Sequence, residues 1–126
     1  MTTETNGAAR IRRLNDIARR IPALANATWL MTRGVNALLI GDDPADLPDD
    51  LHNRVALLYQ TIAGYDRFSE RNDPHGEHDF GDFEFLGHAL YFKIDYYHPG
   101  RDVLSPDPSN IELCRRVLTI MLVEEY

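Results

Sequence analysis

Cysteine occurs once in these 126 residues, at Cys114, and lysine once, at Lys93. A lone thiol closes no intramolecular disulfide, and its apolar neighbours mark it as a small packing residue, so a disulfide scaffold and dithiol redox chemistry are not expected. No apolar run approaches the roughly 18 to 20 residues that cross a bilayer. The first seven residues, Met1 to Gly7, lack the basic-then-apolar pattern of a secretory signal. The expected location is therefore the cytoplasm, with no membrane partner. A nucleophile elbow, a phosphate-cradling glycine loop and internal repeats are also absent. Nor is there a broad basic surface. The formal net charge is −7, which argues against general nucleic-acid binding and for a basic protein partner.

What is present is ordinary for a folded domain: 44% apolar and 26% charged residues, in a length that buries one core and not two. A single domain over residues 1–126 is expected. Its charge is uneven. Residues 1–40 carry six arginines against Glu4 and Asp16, a net +4, which leaves −11 for the remainder.

Ile11, Leu14, Ile17, Ala18 and Ile21 recur at helical spacing, which predicts a helix over residues 8–21 with its arginines mostly on the opposite, solvated side and Pro22 as its stop. Residues 28–32 read as a buried strand, and Val35 to Ile40 as a short helix capped by Thr32, with a second strand as the alternative. The run Asp42, Asp43, Asp46, Asp49 and Asp50 forms an acidic, proline-punctuated loop before a helix whose stripe runs from Leu51 to Phe68. Between Asp82 and Tyr97 the alternation is that of a hairpin. A two-residue turn at Gly87 and His88 would place Phe83 opposite Phe92 and Asp82 opposite Lys93. Ser109 and Glu112 have capping-box spacing, and Ile111, Cys114, Val117, Leu118, Met121 and Leu122 form a stripe, so a final helix is predicted over about 110–125. The expected fold class is α+β, a short antiparallel sheet (the hairpin at about 82–97 plus a strand near 28–32) packed against about three helices.

One segment departs from scaffold. Asp73-Pro74-His75-Gly76 suits a type I turn, and His75, Glu77, His78, Asp79 and Asp82 crowd the residues that follow. Such a set could serve general acid/base chemistry or hold a divalent metal, through His78, Asp79 and Glu77 first and His75 and Asp82 second. The spacing fits no zinc or calcium motif. The competing reading is that these side chains hydrogen-bond loop backbone. Lys93 and Asp95 share a strand face with Tyr91 and Tyr97, a polar-aromatic platform if no helix covers it.

The motifs Asn72-Asp73-Pro74-x-Gly76-Glu77-His78-Asp79-Phe80-Gly81, Lys93-Ile94-Asp95-Tyr96-Tyr97, Ser105-Pro106-Asp107-Pro108 and Arg116-Val117-Leu118-Thr119-Ile120-Met121-Leu122 with Glu125-Tyr126 resemble a small bacterial family of unknown function. The resemblance begins near Leu14-Asn15-Asp16 and includes Met31-Thr32-Arg33-Gly34-Val35. It implies a stand-alone domain, often encoded on plasmids and other mobile elements. His75 stands where that family leads one to expect an aromatic residue, which favours Glu77, His78 and Asp79 over His75 as ligands.

Two functions follow as expectations. The first is a protein-binding accessory module, docking on a basic component of a host defence or plasmid-maintenance system. The alternative is a metal-assisted or acid/base hydrolase, with Glu77, His78, Asp79, Lys93 and Asp95 as candidate catalytic residues.

Overall fold

The computed structural model describes residues 6–126. In chain order it contains α1 (Asn6–Arg20), a 3-10 turn (Pro22–Ala25), β1 (Ala27–Met31), α2 (Arg33–Ile40), α3 (Leu51–Ala63), β2 (Phe80–Phe85), β3 (His88–Tyr97), a second 3-10 turn (Ile111–Leu113), β4 (Arg115–Leu122) and a closing 3-10 turn (Val123–Glu125). The strands form one sheet in the order β1-β4-β3-β2. β4 pairs parallel to β1 and antiparallel to β3, and β3 pairs antiparallel to β2, so the α+β fold rests on a mixed sheet rather than a wholly antiparallel one.

Alternation along the strands divides the sheet into two unlike faces. Phe83, Phe85, Leu90, Phe92, Ile94, Leu118 and Ile120 point to one side, where they pack with Ala18 of α1, Val35 and Leu39 of α2, and Leu58 and Ile62 of α3. This is the core. On the other side lie Phe80, Tyr91, Lys93, Asp95, Tyr97, Thr119 and Met121, and no helical residue of the core cluster packs there.

The predicted final helix is a strand. Residues 115–122 form β4 at the middle of the sheet, with Arg116, Val117, Leu118, Ile120 and Met121 all buried. A central strand covered on both faces reads as an almost continuous apolar run, which spacing alone does not separate from a buried helix. The β-branched Val117, Thr119 and Ile120 favour the strand. The Ser109–Glu112 spacing yields only the single 3-10 turn at Ile111–Leu113, capped by the side chain of Asn110 on the Glu112 N–H.

The hairpin forms two residues out of the predicted register. Its turn is Leu86-Gly87, both at positive φ (50° and 80°), so Phe85 faces His88, Phe83 faces Leu90, and Asp82 faces Tyr91. Two positive-φ residues are what a tight right-twisting hairpin requires, and Gly87 supplies one without strain. A slip of two preserves every side chain's face. The expected Asp82–Lys93 cross-strand pair is lost, and Lys93 pairs with Asp95 on its own strand instead.

The strand expected near 28–32 is present but lies exposed at the sheet edge rather than buried, and the short Thr32-capped helix is present, with the Thr32 side chain accepting from the Val35 N–H. The helix expected to run to Phe68 stops at Ala63, where the Gly64 N–H closes on Gln60. α1 turns a different side inward than its apolar stripe suggests. Ile17 and Ile21 are 37% and 54% exposed, whereas Asn15 and Arg19 are 0% and 1% exposed. Arg19, expected on the solvated side, instead caps the end of α3, donating to the carbonyls of Ile62 and Tyr65.

The closing residues tie the C-terminal turn to α2. Glu125 accepts from the Thr32 hydroxyl at 2.6 Å, the Gly34 N–H at 3.1 Å and the Leu122 N–H at 2.8 Å. A carboxylate at a helix N-terminus also meets the positive end of the helix dipole. A Cβ at position 34 would meet Leu122 and Glu125, so glycine is what admits this approach.

Candidate functional site

Asp73 organises the histidine-carboxylate loop. Its backbone carbonyl accepts from the Gly76 N–H, and its buried carboxylate accepts from the N–H groups of Glu77 (2.9 Å) and His78 (3.1 Å). Asn72, also buried, accepts from the Ser69 N–H and donates to the Arg67 carbonyl and the Tyr65 hydroxyl. These bonds hold His78 in a left-handed conformation (φ 58°) that would otherwise cost it about 1 kcal/mol or more.

His78 is then fixed from three sides. Its ring stacks on Phe68 with centroids 3.9 Å apart, its Nδ1 lies 2.8 Å from the Asp16 carboxylate, and its Nε2 lies 3.9 Å from Asp73. Asp16 also accepts from Arg19 at 2.5 Å. The imidazole joins α1 to the loop.

A second network lies behind the first. Asn15 donates to the Glu77 carbonyl at 3.0 Å and to the Tyr96 hydroxyl at 2.8 Å, and its oxygen accepts from Arg116 Nε at 2.7 Å. Tyr96 donates to the Glu77 carboxylate at 3.1 Å. Arg116 lies over the Tyr96 ring and donates to the Pro108 carbonyl, and burial pulls its pKa below the usual guanidinium value. Burial likewise raises the Tyr96 hydroxyl, helped by Asp79 and Glu77. Asn15, Asp16, Arg19, Tyr96 and Arg116 were absent from the sequence-derived candidates. Their one signal was membership of the motifs that carried the resemblance, which Arg19 lacks.

Asp79 has the most altered carboxyl. Burial, then the neighbouring charges of Glu77 and Asp73, raise it from 3.8 to about 6. A folded pKa above the unfolded one means the folded state binds the proton more tightly. This contribution is complete below about pH 4 and is lost as pH rises through about 6. The full shift corresponds to about 3 kcal/mol, and partial exposure of the carboxyl reduces this to about 1–2 kcal/mol. Asp79→Asn is therefore expected to stabilise the fold above pH 7 by roughly 1 kcal/mol and to flatten its pH dependence between about pH 4 and 6. Urea unfolding at acidic and neutral pH measures both, and an unaltered pH slope would remove Asp79 as the cause.

The sequence-derived candidates fall into separate places. Glu77, His78 and Asp79 lie in the loop that leads into β2, with Glu77 and His78 tied to α1. His75 is exposed at the turn, and Asp82 lies on β2, its carboxylate near Arg71 and the Tyr65 hydroxyl. Lys93 and Asp95 occupy the opposite sheet face from Tyr96 and bond to each other at 2.9 Å. Among the described residues, no group of three or more His, Cys, Asp or Glu converges as a metal site.

The helix-free sheet face is the less committed surface. Phe80, Tyr91 and Tyr126 form an aromatic cluster with centroid distances of 4.9, 5.5 and 6.2 Å. Beside it a groove of about 510 Å³ wraps the hairpin edge and reaches α3, lined by Thr61, Arg67, Asp82, Glu84 and Tyr91 among others. The acidic residues 42–50 form an exposed loop in which Asp43 caps its own turn and Asp50 pairs with Arg54. No described helix is long and apolar enough to cross a membrane.

Comparison with known proteins gives a family and no activity. No curated protein and no solved structure matches the chain significantly. A family model described as "Protein of unknown function (DUF3768)" matches residues 31–125, from the end of β1 through the histidine-carboxylate loop to Glu125 at the helix N-terminus. With three-quarters of its length in that match, the chain belongs to this family of proteins of unknown function.

Proposed function

We propose that this protein is a protein-binding accessory module that docks a basic partner on its helix-free sheet face. The observation that carries the reading is the pairing of an aromatic cluster, half-buried Phe80 and Tyr91 with exposed Tyr126, with a groove bearing Asp82 and the exposed Glu84. Aromatic faces and carboxylates together suit arginine and lysine side chains. The net charge of −7 would speed and orient the approach of a basic protein. The loop residues Asn72, Asp73 and His78 are spent on internal bonds, and Asp82 is shared with Arg71, which leaves Glu84 as the groove's more available carboxylate. The resemblance to a bacterial family found on mobile elements makes a component of a host defence or plasmid-maintenance system, met in the cytoplasm, the proposed partner.

The test is affinity capture with identification of the retained protein. Wild type is expected to retain a basic protein, in a salt-sensitive manner, and Tyr91→Ser with Tyr126→Ser is expected to lose it. Replacing Asp42, Asp43, Asp46, Asp49 and Asp50 by Asn should slow or weaken capture without abolishing it. Undiminished retention by the tyrosine variant would take the sheet face out of the interface.

One observation favours a second reading, acid/base hydrolysis at the loop. Asp79, raised to about 6 beside Glu77, is a carboxyl poised near neutral pH.

A further inference from the structure

The two edges of the sheet are treated differently. At the β2 edge the Tyr65 hydroxyl accepts from the Asp82 N–H and Arg67 donates to the Asp82 carbonyl, so the middle of that edge is occupied. β1, with the sequence Ala27-Thr28-Trp29-Leu30-Met31, has no such cover. On its inner side Arg116 donates to the Asn26 carbonyl and Thr32 donates to Ile120, both at 3.1 Å. In a parallel ladder this phase turns the N–H and C=O groups of Ala27, Trp29 and Met31 outward. No hydrogen bond from another described residue reaches them. The strand also lacks the proline, charge or bulge that usually blunts an edge.

We propose that this edge pairs with the β1 edge of a second copy of the chain, antiparallel, about a two-fold axis at Trp29. The register is self-complementary. Ala27 faces Met31 of the second copy and Trp29 faces its counterpart, so the three outward-facing residues of each copy exchange both of their bonds. Thr28 and Leu30, on the helix-free face, then lie opposite each other across the pair. The two four-stranded sheets become one continuous sheet, with all helices on one side.

A stable dimer buries about 800 Å² per copy, more than five strand residues supply. The elements that meet at this edge supply the rest. Ile21 and Leu24 just before β1 are 54% and 63% exposed, Leu30 is 51% exposed, and Tyr59, stacked on Trp29, is 43% exposed. Exposed apolar side chains flanking an unpaired, uncharged strand are the chemistry of an interface. This surface is separate from the aromatic cluster, so pairing leaves that cluster open.

Sedimentation equilibrium from nanomolar to high micromolar concentration tests the proposal, with circular dichroism as the check on folding. Wild type is expected to dimerise. Thr28→Lys with Leu30→Lys places like charges opposite each other twice, and is expected to weaken the dimer by roughly 10- to 100-fold. Thr28→Glu with Leu30→Lys converts both contacts to opposite charges and should restore it. A wild type that is monomeric throughout the range overturns the proposal. So does a double-lysine variant that dimerises as wild type does, and a folded Glu/Lys variant that stays monomeric overturns the antiparallel register.

Discussion

Asn15→Ala is expected to cost about 3–4 kcal/mol, on the order of 10 °C in Tm for a domain of this size. The reason is Arg116, which is 0% exposed yet carries a full charge. Its Nε bonds to Asn15, one terminal nitrogen bonds to the Pro108 carbonyl, and the other has no partner among the described residues. Truncating Asn15 leaves the guanidinium with a single acceptor and removes a donor from both Tyr96 and the Glu77 carbonyl. An uncompensated buried charge costs far more than the bond it lost. A double-mutant cycle with Arg116→Met distinguishes this cause from a simple cavity. Once the charge is gone, removing Asn15 should cost much less, so the double variant falls well short of the sum of the two singles. Additive losses, measured by urea unfolding, would contradict the coupling.

Gly81→Ala should cost about 2–3 kcal/mol although it adds one methyl group. A Cβ at that position would overlap the ring of Phe92 and lie 2.8 Å from Tyr65 Cε2. Both rings are held, because Phe92 is 0% exposed, Tyr65 is 5% exposed, and they pack edge to face at 5.1 Å. Tyr65 has a further constraint, since its hydroxyl meets Asn72 and the Asp82 N–H. Displacing it disturbs the base of the histidine-carboxylate loop as well as the core. Gly100→Ala is the control, because a Cβ there meets nothing within 4 Å and the change should stay within about 0.5 kcal/mol. Equal effects at the two positions in thermal unfolding would show that the rings of Phe92 and Tyr65 give way and that space is not what Gly81 supplies.

Much of the local structure was legible in the sequence because its signals are local. The Thr32 cap, the stop at Pro22 and the alternation of Phe83 and Phe85 with Leu90 and Phe92 depend on residues within a few positions of one another. β4 was misread because its neighbours come from distant parts of the chain. Being covered on both faces erased the alternation that marks an exposed strand. The hairpin register failed more narrowly, since Leu86 at positive φ is a conformation that leucine rarely declares in advance. At the candidate site the loop was found, but its partners were not. Asn15 and Arg19 lie in α1 among residues that resemble a solvated helix face, and only the fold brings them to Glu77, Tyr96 and Tyr65.

The placement of β4 bears on how the protein is made. β1 and β4 are about ninety residues apart in the chain, and β4 is the strand that joins β1 to the hairpin. While the chain emerges from the ribosome, β2 and β3 can close on each other as soon as both are out. β1 and the unfilled side of β3 wait with their hydrogen bonds open until β4, residues 115–122, is synthesised. Long-range pairing of this kind is slow and leaves apolar strands open to wrong partners in the interval. Folding is thus gated by synthesis of β4, and a nascent chain stalled before it holds a formed hairpin with an empty slot beside it.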